Sequence, residues 1–137
     1  MLREALERFL ADRVNKGRAE GTLNSYRVKV GHLLRLLGAE TRLARIDARA
    51  VDGFIETRLK EGAARHTIQK ELVALRGTLK VAKRRGDFKG DIGAVMPDGF
   101  SSGYKPRVRF LSGDEAQRLL AELTPDRAAR VAFILAT

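Results

Sequence analysis

Over the first 86 residues apolar side chains return every three or four positions, and the breaks between runs fall on glycine. Leu2, Ala5, Leu6, Phe9, Leu10 and Val14 predict one amphipathic helix, with Gly17 just beyond its end. A second helix, from about Glu20 to Leu37, turns Leu23, Tyr26, Val30, Leu33, Leu34 and Leu37 inward and stops at Gly38. A third is capped by Asp47, buries Val51, Phe54, Ile55 and Leu59, and ends at Gly62, while Leu43 and Ile46 anchor the connection before it. A fourth covers Arg65 to Arg85, with Ile68, Leu72, Leu75, Leu79 and Ala82 on one stripe and Gly86 as its terminator.

Beyond Gly86 the pattern is interrupted by Gly90, Gly93, Pro97, Gly99, Gly103 and Pro106, which reads as a linker over 87–111, too long for a connection inside one compact domain. Helical spacing then resumes. Ser112-x-x-Glu115 has the form of a capping box ahead of Ala116, Leu119, Leu120 and Leu123, which are expected to be buried. Thr124-Pro125 opens a further helix through Val131, Ile134 and Leu135. The chain reaches Thr137 inside that apolar helix, as though a second domain had begun and been cut. The expected class is all-α: a four-helix bundle over 1–86, an irregular linker over 87–111, and one or two helices of a truncated second domain over 112–137.

Composition narrows the chemistry. With no cysteine, disulfide scaffolds and cysteine-containing zinc sites are excluded. His32 and His66 lack a carboxylate cluster, so neither a metal nor another cofactor is expected. The most apolar segment, Val131 to Ala136, is far shorter than the roughly 20 residues that span a bilayer, and no secretory signal follows Met1. A membrane partner is therefore not expected. Twenty-seven basic against seventeen acidic residues give a net charge of +10, which points to nucleic acid.

That charge is concentrated. From Arg65 to Lys89 there are eight Lys or Arg against two acids, Glu71 and Asp87. At about 100° per residue from Ile68, the residues Arg65, His66, Gln69, Lys70, Arg76, Lys80, Lys83 and Arg84 fall in a sector of roughly 60° to 200°, and Glu71 lands on the opposite flank. Exposed charge runs are ordinarily solvated faces, but those usually mix signs with Glu placed ahead of Lys. This face carries no acid, so it is assigned to duplex DNA. The outward side of the second helix adds Thr22, Asn24, Ser25, Arg27 and Lys29. Thr22 and Thr67 both stand in a first helical turn, where a hydroxyl either satisfies a free backbone donor or reaches a phosphate. In the linker, Tyr104, Lys105, Arg107, Arg109 and Phe110 interleave base and aromatic. They suit either the tracking of a nucleic-acid backbone or a tether docked on a neighbouring domain.

The order and spacing of several loose motifs resemble a known family. Thr22-x3-Tyr26, Leu43-x2-Ile46, Val51-x2-Phe54-Ile55-x2-Arg58 and Thr67-Ile68-x3-Leu72-x2-Leu75-Arg76 are similar to the core-binding domain of phage-type integrases, the tyrosine site-specific recombinases. Pro106-Arg107-x-Arg109-Phe110-Leu111-Ser112-x2-Glu115 looks like the entry into their catalytic domain. The resemblance implies a SAM-like four-helix bundle that grips one face of a duplex, further recombinase protomers assembling on the DNA, and a cytoplasmic, nucleoid-associated location in a prokaryotic host. Ala19 and Ala64 depart from it, standing where the family often has a capping Ser, and Met96-Pro97 stands where Asn-Pro is common. The family's first catalytic arginine would follow the Leu-Ala-Thr at the end of this sequence, and its tyrosine nucleophile lies further on. The chain as given is therefore expected to be no enzyme, although its parent resembles a protein that cleaves and rejoins DNA for integration.

Two other functions fit a basic helical chain. A DNA-binding regulator without chemistry would carry an effector or dimer module after residue 112, and an RNA-binding helical protein would need only the charge.

Overall fold

The computed structural model describes residues 1–103 and 110–136. Its helices are α1 (Leu2–Asn15), α2 (Glu20–Leu37), α3 (Ala48–Lys60), α4 (Arg65–Arg84), α5 (Ile92–Val95), α6 (Gly113–Glu122) and α7 (Pro125–Ala136), with a 3₁₀ turn at Leu43–Arg45. No strand occurs among the described residues. The chain divides into two compact units, Met1–Tyr104 and Lys105–Thr137.

In the first unit α4 is the central helix. It packs against α1, α2, α3 and α5. Its whole predicted stripe, Ile68, Leu72, Leu75, Leu79 and Ala82, is buried against Leu2, Leu6 and Phe9 of α1, Val30 and Leu33 of α2, and Val51, Phe54 and Ile55 of α3. Leu43 and Ile46 join the same core from the 3₁₀ turn. The start of α1 is tied to the connection after α2: Leu2 N donates to Thr41 O at 2.8 Å and Arg3 N to Ala39 O at 3.0 Å. Two donors that a helix N-terminus leaves open are thereby satisfied. Asp47 caps α3 by accepting Ala50 N at 2.8 Å. Gly38 and Gly86 end α2 and α4 at φ +84° and +82°, where other residues would be strained.

Several expectations need correction. Val14 is 52 % exposed and Leu59 40 %. At 100° per residue Val14 has drifted about 120° from Leu2, and Leu59 lies about 80° from Val51, so both have left their stripes. In α3 the buried place belongs to Arg58, about 20° from Val51 and 7 % exposed. Glu71 does lie on the flank of α4 opposite the basic sector, and there it is fully buried in the core.

The linker reading also fails over its first part. Phe88, Val95 and Met96 are buried and belong to the core, with Ile92 and Phe100 packed against it. Asp91 caps the single turn of α5 by accepting Gly93 N at 2.9 Å. The first unit thus continues well past Gly86. A four-residue helix is too short to display a period, which hid it in the sequence.

The second unit consists of α6 and α7. The capping box forms as expected: Ser112 Oγ accepts Glu115 N at 3.2 Å, and Glu115 Oε2 accepts Ser112 N at 3.0 Å. The expected burial does not. Leu119 is 38 % exposed, Ala116, Leu120 and Leu123 are only half-buried, and Phe133, Ile134 and Leu135 are exposed. Two short helices cannot enclose a core between them.

Candidate nucleic-acid interface

The outward sector of α4 is determined by its inward one. Because Ile68, Leu72, Leu75 and Leu79 must face the bundle, Gln69, Lys70, Arg76 and Lys80 are directed out. Lys70, Arg76 and Lys80 are exposed, and none makes an ion pair or side-chain hydrogen bond with another described residue. Their charges stay available to an outside anion. Glu71 does not offset them at the surface. Its carboxylate accepts Arg58 Nε at 3.0 Å and Nη2 at 2.8 Å inside the bundle.

Two grooves flank this sector. On one side Thr22, Ser25, Tyr26 and Lys29 of α2 face Lys70 and Val73 across a depression of about 470 Å³. Lys29 is hydrogen-bonded to Ser25 Oγ, and its ammonium lies 5.4 Å from the Tyr26 ring centre. Cations and hydroxyls from two helices thus meet on one side. On the other side Gln69, Val73 and Arg76 face the segment Met96–Phe100, with Asp98 as the acid in that groove.

The remaining sequence-predicted residues are less uniformly placed. Arg65 stacks on Phe100 with its guanidinium 4.6 Å from the ring centre and donates from Nε to Ser101 O at 3.1 Å. It holds the post-helical segment against the start of α4. Lys83 donates to Gly90 O at 3.2 Å, and Arg84 approaches Asp12 of α1 at 3.5 Å. His66 is exposed at the helix start. Asn24 and Arg27 do not line the groove between α2 and α4. Arg27 Nη1 is held by Glu20 Oε1 at 2.7 Å and Asn24 Oδ1 at 2.6 Å. Lys105, Arg107 and Arg109 lie outside the described residues.

The two first-turn threonines differ from a capping role. The N-cap residues are Ala19 and Ala64, neither helix start has a side-chain cap, and neither Thr22 nor Thr67 makes a side-chain hydrogen bond among the described residues. Thr22, on the groove, therefore has a free hydroxyl.

Sequence reasoning missed one member of the face. Val73 is 52 % exposed between the two grooves. It sits about 140° from Ile68, the middle of the basic sector. The same angular count that selected the cations contained it.

Below the face, the edge of the Phe9 ring meets Tyr26 at 89° with centres 5.2 Å apart, and Arg13 stacks 4.6 Å above Phe9. A Cβ on Gly77 would lie 2.6 Å from Phe9 Cε2. Absence of a side chain at this position lets Phe9 of α1 approach α4 closely.

Among the described residues no helix is long and apolar enough to cross a membrane. A family model described as phage integrase, N-terminal SAM-like domain, matches residues 6–86. Comparison with curated proteins and with solved structures gave no match.

Proposed function

Because the chain belongs to the phage integrase N-terminal SAM-like domain family, which ties it to site-specific recombination, we propose that its first unit grips duplex DNA at a recombination site through α4 and α2. The observation that carries this reading is the outward sector of α4, where Lys70, Arg76 and Lys80 are exposed and unpaired among the described residues. A helix fits the major groove of B-DNA, which is about 12 Å wide. Lys70, Lys80 and Lys29 neutralise phosphates, aided by the hydroxyls of Thr22 and Ser25. Gln69 and Arg76, lining one groove wall together, are suited to adenine and guanine edges respectively.

In this reading the unit supplies affinity and register, and strand cleavage belongs to other parts of the parent recombinase, acting with further protomers on the DNA. Tyr26 is half-buried, with its ring packed against Phe9 of the core and facing the groove between α2 and α4, and in this reading it serves as part of the groove wall.

The test is fluorescence anisotropy with labelled duplexes across a salt series. Neutralisation of about five phosphates gives a slope of log K against log salt near −4 to −5. Lys70→Ala with Lys80→Ala, which removes two of the phosphate contacts, is expected to flatten the slope by about 2 without changing the unfolding midpoint. A slope near zero, or stronger binding to structured RNA than to the duplex, overturns the proposal.

A further inference from the structure

We infer that Val73 is a specificity-determining residue whose isopropyl group contacts the C5-methyl of a thymine in the major groove. This deepens the DNA-binding reading and rests on it. Isolated exposed aliphatic residues are common on protein surfaces and need no explanation by themselves. The position of Val73 is what distinguishes it. Gln69 and Lys70 precede it by one turn, Arg76 follows by one turn and Lys80 by two, so an apolar group stands at the middle of a face otherwise built from cations and an amide. It lines both grooves that flank α4, and therefore occupies the crest that enters first when the helix approaches a polyanion.

Reach separates the roles of these side chains. Lys70 and Lys80 extend past Val73 to phosphates, whereas a valine touches only what lies directly against the helix. In a major groove that is the edge of a base. The chain also loses little freedom on contact, because a β-branched residue in a helix already favours one χ1 rotamer. Thymine is the standard base with an apolar group in the major groove, its C5-methyl; cytosine and adenine present amino donors there and guanine presents acceptors. Charge brings the duplex to this face, and the exposed aliphatic group then prefers one base at one position.

The experiment uses the full chain. Duplexes are first selected from a random pool, and each thymine of the selected site is replaced singly by deoxyuridine, which removes the methyl and leaves base pairing intact. For the wild type, one replacement is expected to weaken binding about fourfold, the value of one buried methyl group. Val73→Ala, which sits on an exposed helical surface and favours the helix, is expected to keep the fold and to bind the thymine and deoxyuridine duplexes equally. The inference is overturned if no replacement affects the wild type, if the sensitive position remains equally sensitive in Val73→Ala, or if selection yields salt-dependent binding without sequence preference. In those cases the DNA-binding reading survives. If the chain shows no salt-dependent duplex binding, both fall together.

Discussion

Glu71→Ala probes the least expected contact in the bundle. The Glu71 side chain is 1 % exposed and receives both Nε and Nη2 of Arg58, at 3.0 and 2.8 Å. Arg58, whose side chain is 9 % exposed, gives Nη1 to Glu61 at 2.7 Å, and Glu61 accepts two further bonds from Arg35 at 2.7 and 2.8 Å. Truncating Glu71 leaves two guanidinium donors facing a cavity. Removing one partner of a buried ion pair costs about 3–5 kcal/mol, and the surviving bond to Glu61 places this case near the lower end, about 3 kcal/mol. Against a total domain stability of roughly 5–15 kcal/mol this is a large loss. With an m-value of roughly 1.5 kcal/mol/M, the urea midpoint falls by about 2 M at unchanged slope. Arg58→Met combined with Glu71→Leu removes both charges while keeping most of the volume, and its stability is expected within about 1 kcal/mol of wild type. A loss below about 1 kcal/mol for Glu71→Ala, or a double variant as unstable as the single one, refutes the reasoning.

The glycine in α4 provides a second check: Gly77→Ala puts a Cβ against the Phe9 ring and is expected to destabilise by about 1–3 kcal/mol despite the better helix propensity of alanine, as read by thermal unfolding. An unchanged midpoint would show that the ring has room to move. Arg35 and then Arg58 hold the Glu61 carboxyl down, from an ordinary 4.5 to about 2. The folded state therefore binds this proton less readily than the unfolded chain, so the contribution of Glu61 is present above pH 4.5 and declines as pH falls toward 2. Arg35→Gln should flatten the stability profile in that window, and an identical profile would count against the pairing. Ending the chain at Gly86 removes Phe88, Val95 and Met96 from the core, and a loss of about 2–4 kcal/mol is expected once the ordering entropy of the segment is offset. Equal stability of the shortened chain would show that the segment only lies on the bundle.

Periodicity carried much of the fold. The stripes of α1, α2 and α4 predicted both the helices and the side that faces inward, because burial of an apolar face is what holds such helices in a bundle. The errors arose where residue type was allowed to outweigh angle. As a leucine Leu59 suggests the core and as an arginine Arg58 suggests the surface, but the angular count places Arg58 nearer the centre of the stripe, and it is Arg58 that is buried. The segment after Gly86 differs for another reason: Phe88 stands between Gly86 and Gly90, and Val95 and Met96 between Gly93 and Pro97, so its buried residues form no repeat. Of the interface, the positions of Lys70, Arg76 and Lys80 followed from the stripe on the other side of α4. Tertiary neighbours decided the rest. Glu20 and Asn24 hold Arg27, Phe100 holds Arg65, and Asp12 draws Arg84 toward α1.

Glu71 connects the two faces of α4. From Ile68 it lies at about 300°, between Thr78 at 280° and Ala82 at 320°, so the helical count places it inside the buried sector. An acid there is tolerated only because the Arg58 of α3 reaches it with a two-bond grip, which satisfies both charges away from water. The arrangement also has an electrostatic consequence for the opposite face. An acid on an exposed helix surface ordinarily pairs with a lysine three or four residues away and reduces its availability. With its acid turned inward and neutralised by another helix, α4 presents Lys70, Arg76 and Lys80 without an intrahelical partner. The buried pair therefore leaves the outward charge of α4 undiminished, and on the proposed function Glu71→Leu with Arg58→Met is expected to give the same duplex anisotropy curve as the wild type, since both residues lie inside the bundle.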